Sequence, residues 1–270
     1  MLSASLLSWC DDPSALIRFL HQLADASGDA ILPHFRSGAS VTNKAEQGRF
    51  DPVTEADRGA EAAMRQLIEA HYPDHGIYGE EFPDKPANGP FHWALDPIDG
   101  TRGFISGLPV WGTLIGLNHK GAPVLGMMNQ PFTRERFWNS PEGALYRGPG
   151  GERLMTTRKG GRLADAILVA TSPDMFGEAE FARFSALSRS VRMTRFGGDC
   201  YLYCLVAMGF IDLVAEAGLK PFDIAALIPI IHAAGGVVTT WDGADASAGG
   251  QIIAAADPAL HEAALKQLAA

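Results

Sequence analysis

Apolar residues recur at helical spacing over residues 13–35, through Leu16, Ile17, Leu20, Leu23 and Ile31, and again over 56–71 through Ala60, Met64, Leu67 and Ile68. The spacing predicts two amphipathic helices at the start of the chain. Between them, residues 37–52 are polar, contain glycine and show no period, which predicts a long loop. Loops of that length inside a compact domain are often functional.

Past Tyr78 the apolar runs shorten to strand length. Residues 92–95 predict a strand ending at Asp96, and 113–117 and 123–128 flank the turn signal Asn118-His119-Lys120-Gly121 and predict a hairpin. Residues 136–139 and 144–147 predict further sheet, and Gly148-Pro149-Gly150-Gly151 reads as a hairpin turn. The tail alternates instead: strand 166–171, helix 178–187, helix 199–208, strand 210–215, helix 223–234, strands 237–240 and 252–255, and a closing helix over 258–268. An antiparallel middle and an α/β tail predict two subdomains meeting near residues 140–165, an N-terminal α+β unit over 1–150 and a C-terminal α/β unit over 151–270.

Composition narrows the class. The 270 residues are 47% apolar and 20% charged, with mean hydropathy near zero, which excludes a disordered or fibrous chain. Lys and Arg total 22 against 31 Asp and Glu, a formal charge of −9, and no basic stripe offers a nucleic-acid footprint. No apolar run reaches the roughly 20 residues that cross a bilayer, and residues 1–12 lack the basic start of a signal peptide, so the expected location is cytoplasmic and no membrane partner is expected. Cys10, Cys200 and Cys204 are too few for a disulfide framework. Cys200, Cys204, Trp111, Met127 and Met128 read as core, and the eight histidines show no metal-ligand spacing.

Four acidic segments carry the candidate chemistry: Asp51-Pro-Val-Thr-Glu-Ala-Asp57, Gly79-Glu80-Glu81, Asp96-Pro-Ile-Asp-Gly-Thr101 and Pro221-Phe222-Asp223. Asp96 and Asp99, three residues apart about a proline turn, can converge on one cation with the Ile98 carbonyl as a further oxygen ligand. Gly100 permits close backbone approach, and Thr101 can start a short helix whose N–H groups can donate to an anion. Singly, each segment has a plainer explanation as a turn, a solvated pair or a first-turn acid. Their joint order and spacing is what points to a site.

This constellation, with Phe222-Asp223-Ile-Ala-Ala followed by Ala234-Gly235-Gly236, resembles the inositol monophosphatase family of magnesium-dependent, lithium-sensitive phosphomonoesterases. The resemblance implies an αβαβα sandwich, a homodimer and two or three Mg²⁺ ions. It places one ion on Glu80, Asp96 and the Ile98 carbonyl, and a second on Asp96, Asp99 and Asp223. Asp57 and Thr101 become the pair that activates the attacking water, with Glu80 touching a third ion and Glu81 behind the ligands. Lys44 loosely matches a family lysine near that third ion.

After Thr101 the chain continues Arg102-Gly103-Phe104, which departs from the inositol enzymes and is similar to the histidinol-phosphate phosphatase branch. That implies L-histidinol phosphate as substrate, its ammonium and imidazole met by Asp199, after Gly198, and by Glu216, with Asp99 and Arg102 as further contacts. By itself Asp199 also fits a helix N-cap. Inositol 1-phosphate, 3′-phosphoadenosine 5′-phosphate and fructose 1,6-bisphosphate are the other esters weighed, and a metal-stabilised regulatory protein with vestigial activity is the reading from another class. The intact acid set argues against the last.

Overall fold

The computed structural model describes residues 12–37, 41–43 and 52–269. Helix α1 (Pro13–Ile31) opens on Asp12, whose side chain accepts from the Ala15 N–H at 2.9 Å. It ends at Ile31 and not at Phe35, because Pro33 has no N–H to continue the ladder. The expected loop over 37–52 holds part of a two-stranded antiparallel ladder, β1 (Val41–Asn43) with β2 (Pro52–Thr54). Strands of three residues leave no periodic trace, and Lys44 lies outside the described residues.

Helix α2 (Glu55–His71) starts at a capping box in which Thr54 and Asp57 satisfy each other's ends. Strands β3 (Gly76–Gly79) and β4 (Phe91–Asp99) follow, then a short helix α3 (Thr101–Ile105). Next come β5 (Gly112–His119), β6 (Ala122–Gln130), β7 (Glu135–Ser140), β8 (Gly143–Gly148) and β9 (Gly151–Met155). All seven form one sheet in chain order, parallel only between β3 and β4. The β8–β9 turn at Gly148–Gly151 is the hairpin expected there, though β9 itself, exposed and without alternation, is not legible in the sequence.

The tail builds β10 (Ile167–Ala170), α4 (Glu178–Arg189), β11 (Met193–Phe196), α5 (Asp199–Ala207) and β12 (Leu213–Leu219). It closes with α6 (Pro221–Ile224), α7 (Leu227–Ala234), β13 (Val237–Thr240), β14 (Gly250–Ala255) and α8 (Pro258–Leu268). The second sheet has the order β11-β10-β12-β14-β13. Three expectations shift. The strand expected over 210–215 runs over Leu213–Leu219, since 210–212 close the turn after α5 and the buried Glu216 hides the strand's later half. The helix expected over 223–234 is broken into α6 and α7, because Pro229 cannot donate to the Ala225 carbonyl and its ring crowds that group. Strand β11 was not expected, its side chains being largely exposed.

The layers are helix, sheet, helix, sheet, helix, the αβαβα sandwich. On the seven-stranded sheet Trp93, Leu95, Ile115, Leu117, Leu125, Met127 and Trp138 face α1 and α2. Leu114, Met128, Phe137 and Ala144 point to the other face, where α5 and α7 lie. The five-stranded sheet divides likewise: Val169, Val214, Ile252 and Ala254 look toward α5 and α7, while Leu168, Leu213, Ala215 and Ile253 pack under α4 and α8. Period two in the strands sets both divisions. One close approach matters for the site. A Cβ on Gly126 would lie 1.9 Å from the Ala226 carbonyl oxygen, so only glycine lets the α6–α7 junction rest on the sheet.

Candidate active site

Strand β4 does not end at Asp96, as expected, but runs through to Asp99 with an irregularity. Asp96 pairs with Leu114 and Asp99 with Gly112, three steps on β4 against two on β5. This is a bulge. In a regular strand residues three apart face opposite sides, and the extra residue turns Asp96 and Asp99 toward the same place. Pro97 suits the irregularity because it has no N–H to leave unpaired. Its carbonyl accepts from Thr113 Oγ1 at 2.9 Å, and that hydroxyl lies 2.8 Å from Ser27 Oγ on α1. Ser27 and Thr113 are fully buried, and neither stands out in the sequence.

Asp223 joins them from the other half of the chain. One carboxylate oxygen from each of Asp96, Asp99 and Asp223 lies within 4.8 Å of the others. Asp223 sits in the first turn of α6, where its Oδ2 accepts from the Lys220 N–H at 2.6 Å. Glu80 follows the end of β3, continuing the ladder through its N–H to the Leu95 carbonyl at 3.2 Å. Its charge acts on Asp57, Asp96 and Asp223 alike.

Asp57 is fully buried. Its Oδ2 accepts from the Thr54 N–H at 2.8 Å and the Thr54 hydroxyl at 2.5 Å, while Oδ1 has no partner among the described residues. Asp96 Oδ1 is likewise buried and without a partner among the described residues. Thr101 Oγ1 donates to the Ile98 carbonyl at 3.0 Å. Gly100 has φ +86° and caps α3, a helix of five residues and therefore a weaker dipole than the expected anion site assumes.

Burial is the first cause of every shift among these acids. Asp96 is held well above the ordinary carboxylate range by burial and by Glu80, Asp99 and Asp223 around it. Asp99 is held well above it by burial, Asp199 and Asp223. Asp223 is pushed up to about 7, and Asp57 is raised as well. Like charges crowded out of water take up protons or a cation. An all-oxygen donor set that includes Asp96 Oδ1, buried and without a partner among the described residues, fits a hard divalent cation, and offers nothing of the His and Cys character that zinc favours.

Beside the cluster lies a cavity of about 330 Å³ whose lining includes Asp99, Arg102, Asp199, Tyr203, Glu216 and Asp223. Glu216 is buried, accepting from the Thr171 N–H at 2.6 Å and the Tyr203 hydroxyl at 2.8 Å. Burial raises it. Asp199 is not the N-cap; Gly198 is, with φ +133°, and Asp199 follows in the left-handed region at φ +44°. Non-glycine residues held there cluster at functional sites. Burial, then Glu216, push Asp199 up to about 7, while Arg102 pulls it back. Gly100 leaves room for it: a Cβ there would lie 3.0 Å from the Asp199 side chain.

The structure thus gathers Asp96, Asp99 and Asp223 in one group, with Glu80 near enough for its charge to act on Asp96 and Asp223, and sets Arg102, Asp199 and Glu216 along the adjoining wall. Glu81 points its N–H away, to Glu61 Oε2 at 2.8 Å. Glu61 and Tyr203 are buried members of this neighbourhood that the motifs did not include. Glu61 was findable, an acid in the apolar stripe of Ala56, Ala60 and Met64.

A sequence model described as the inositol monophosphatase family matches residues 12–270. The chain is 42% identical over 257 residues to the chloroplastic bifunctional phosphatase IMPL2 of Arabidopsis thaliana, covering 91% of this chain and 72% of that protein. It is 35% identical over 263 residues to a histidinol-phosphatase of Streptomyces coelicolor, covering 93% and 96%. Among solved structures, an inositol monophosphatase from Zymomonas mobilis superposes with a TM-score of 0.84 at 40% identity, over 97% of this chain and 99% of that one.

Proposed function

The chain belongs to the inositol monophosphatase family, a family of metal-dependent phosphatases, and from that premise we propose that it hydrolyses L-histidinol phosphate with Mg²⁺. The observation that carries the proposal is the pairing of two acidic groups: Asp96, Asp99 and Asp223 within 4.8 Å of one another, and next to them a cavity walled by Asp199 and Glu216. The first group suits cations that hold a phosphate. The second suits a cationic alcohol, which charge-assisted hydrogen bonds to carboxylates would orient. The histidinol-phosphatases among the relatives support that substrate.

Glu80, Asp96, Asp99, Asp223 and the Ile98 carbonyl would hold the ions, two or three in number. Bound there, Mg²⁺ supplies charge to neutralise the ester and lowers the pKa of a coordinated water. The chain's own residues do the rest. Thr54 saturates Asp57 Oδ2, so Oδ1 is the atom that takes the proton from the attacking water. Thr101, whose hydroxyl hydrogen is spent on Ile98, keeps its lone pairs toward the same water and orients it. Gly100 and Thr101 present backbone N–H groups to the phosphate, Arg102 supports the Asp199 wall, and Glu216 and Asp199 hold the ammonium and imidazole. Glu81 lies behind the ligands. The active form is a homodimer, checked by light scattering.

Phosphate release from L-histidinol phosphate, inositol 1-phosphate, 3′-phosphoadenosine 5′-phosphate and fructose 1,6-bisphosphate, compared by kcat/KM at saturating Mg²⁺, tests the assignment. Histidinol phosphate should lead. Inositol 1-phosphate leading would overturn the substrate, and no release from any ester would leave a binding protein.

A further inference from the structure

Glu61 lies one helical turn beyond Asp57 on the buried face of α2, and its side chain has no exposure. A buried carboxylate is costly unless its oxygens are satisfied. Both are: Oε1 accepts from Arg65 Nε at 2.7 Å, and Oε2 from the backbone N–H of Glu81 at 2.8 Å. Arg65 also donates to the Phe82 carbonyl at 3.2 Å. On the other side of Glu80, a Cβ on Gly79 would lie 2.1 Å from Glu61 Oε1, so glycine is what lets the strand end rest against the carboxylate. Gly79, Glu81 and Phe82 all meet the Glu61–Arg65 pair, and Glu80 is the residue they enclose. Neither Glu61 nor Arg65 lines the substrate cavity.

We infer that Glu61 is a positioning residue: α2 carries Asp57 and Glu61 on one face, and the Glu61–Glu81 hydrogen bond sets where Glu80 stands relative to Asp57 and the three clustered aspartates. The helix acts as a ruler between the residue that takes the water's proton and an acid that holds metal. This rests on the proposed function, since the place of Glu80 matters only if the site holds cations. Partners that orient metal ligands from behind typically contribute about 10- to 100-fold to metal affinity.

The test titrates Mg²⁺ alone into purified protein by calorimetry, then measures kcat and KM at saturating Mg²⁺. Glu61→Ala is expected to weaken Mg²⁺ binding by about tenfold or more, with KM at saturating Mg²⁺ unchanged because the cavity wall is untouched. Glu61→Gln keeps an oxygen for the Glu81 N–H while its amide nitrogen replaces the oxygen that accepts from Arg65, and should lose less Mg²⁺ affinity than Glu61→Ala. Wild-type affinity in Glu61→Ala, or an equal loss in Glu61→Gln, overturns the inference. Should Glu61→Ala show no cooperative melt, Gly79→Ala drives a methyl group into the same carboxylate and must weaken Mg²⁺ by the same route; unchanged affinity there overturns it too. A wild-type protein that binds Mg²⁺ yet hydrolyses no ester overturns the phosphatase assignment and leaves the Glu61 comparison to stand by itself. One that binds no Mg²⁺ overturns both.

Discussion

The backbone N–H of Cys200 donates to Asp99 Oδ2 at 2.6 Å, across 101 positions of sequence. It ties the end of β4 to the start of α5, and so fixes an acid of the first half of the chain with a donor of the second. The same device recurs. Lys220 N–H holds Asp223 Oδ2 and Thr54 N–H holds Asp57 Oδ2. A carboxylate clamped by one oxygen has lost most of its rotamer freedom before any ligand arrives, which is how preorganisation lowers the cost of binding.

Asp57→Asn should leave the capping of α2 in place, since an amide oxygen can still accept from Thr54, but it cannot take a proton at Oδ1. We expect kcat to fall by about 10²- to 10⁴-fold with Mg²⁺ affinity close to wild type. Steady-state kinetics beside a Mg²⁺ titration checks it, and an unchanged kcat removes the role.

Asp223→Asn keeps the acceptor for Lys220 N–H and removes a charge from the cluster. The Mg²⁺ concentration for half-maximal activity should rise by about tenfold or more, as ligand charge sets affinity for hard cations. An unaltered Mg²⁺ dependence would take Asp223 out of the ligand set.

In chelator, the protein should melt at lower temperature as pH rises. Asp223 and Asp199, pushed from 3.8 to about 7, and the raised Asp57, Asp96, Asp99 and Glu216 bind protons more tightly folded than unfolded. The stability this contributes is complete below the unfolded value and is lost as pH climbs through about 7. Saturating Mg²⁺ should flatten the curve. Melting scans between about pH 5 and pH 8, with and without Mg²⁺, give the comparison; a flat curve in chelator would contradict the crowding of acids.

Glu216→Gln retains hydrogen-bond partners for Thr171 and Tyr203 and loses only the charge. KM for L-histidinol phosphate should rise by about tenfold, the worth of a charged hydrogen bond, and KM for inositol 1-phosphate by much less. Equal effects on the two esters would count against recognition of an ammonium or imidazole.

Gly126→Ala tests the seating of α6 and α7. A methyl group 1.9 Å from the Ala226 oxygen cannot be accommodated without a shift, at a cost of about 1–3 kcal/mol. Denaturant titration should show that loss, and Mg²⁺ affinity should drop with it as Asp223 moves off the sheet.

The acidic motifs were readable because metal chemistry demands particular residue types at short spacings, and those survive in a one-dimensional text. Asp96, Asp99 and Asp223 were named from the sequence, and they do converge. The way they converge was not readable. A strand ending at Asp96 was expected, and the bulge that aims Asp96 and Asp99 at one point depends on pairing with β5. Asp199 looked like a possible N-cap, and its left-handed backbone follows from Gly197 and Gly198 before it and from the close approach of Gly100.

Local periodicity therefore carried the antiparallel middle and the α/β tail, and motif spacing the list of acids, since both rest on near neighbours in sequence or on residue chemistry alone; the layered sandwich came with the family resemblance those motifs carry. Local clamps hold Asp57 and Asp223, while contacts across longer separations bring the acids and their supports together: Cys200 on Asp99, Tyr203 on Glu216, Glu81 on Glu61, Ala226 on Gly126. Each joins separate elements that meet only in the packed fold. Buried polar groups such as Glu61 and Glu216 are permitted only where such a contact satisfies them, and their partners cannot be assigned until the layers are in place.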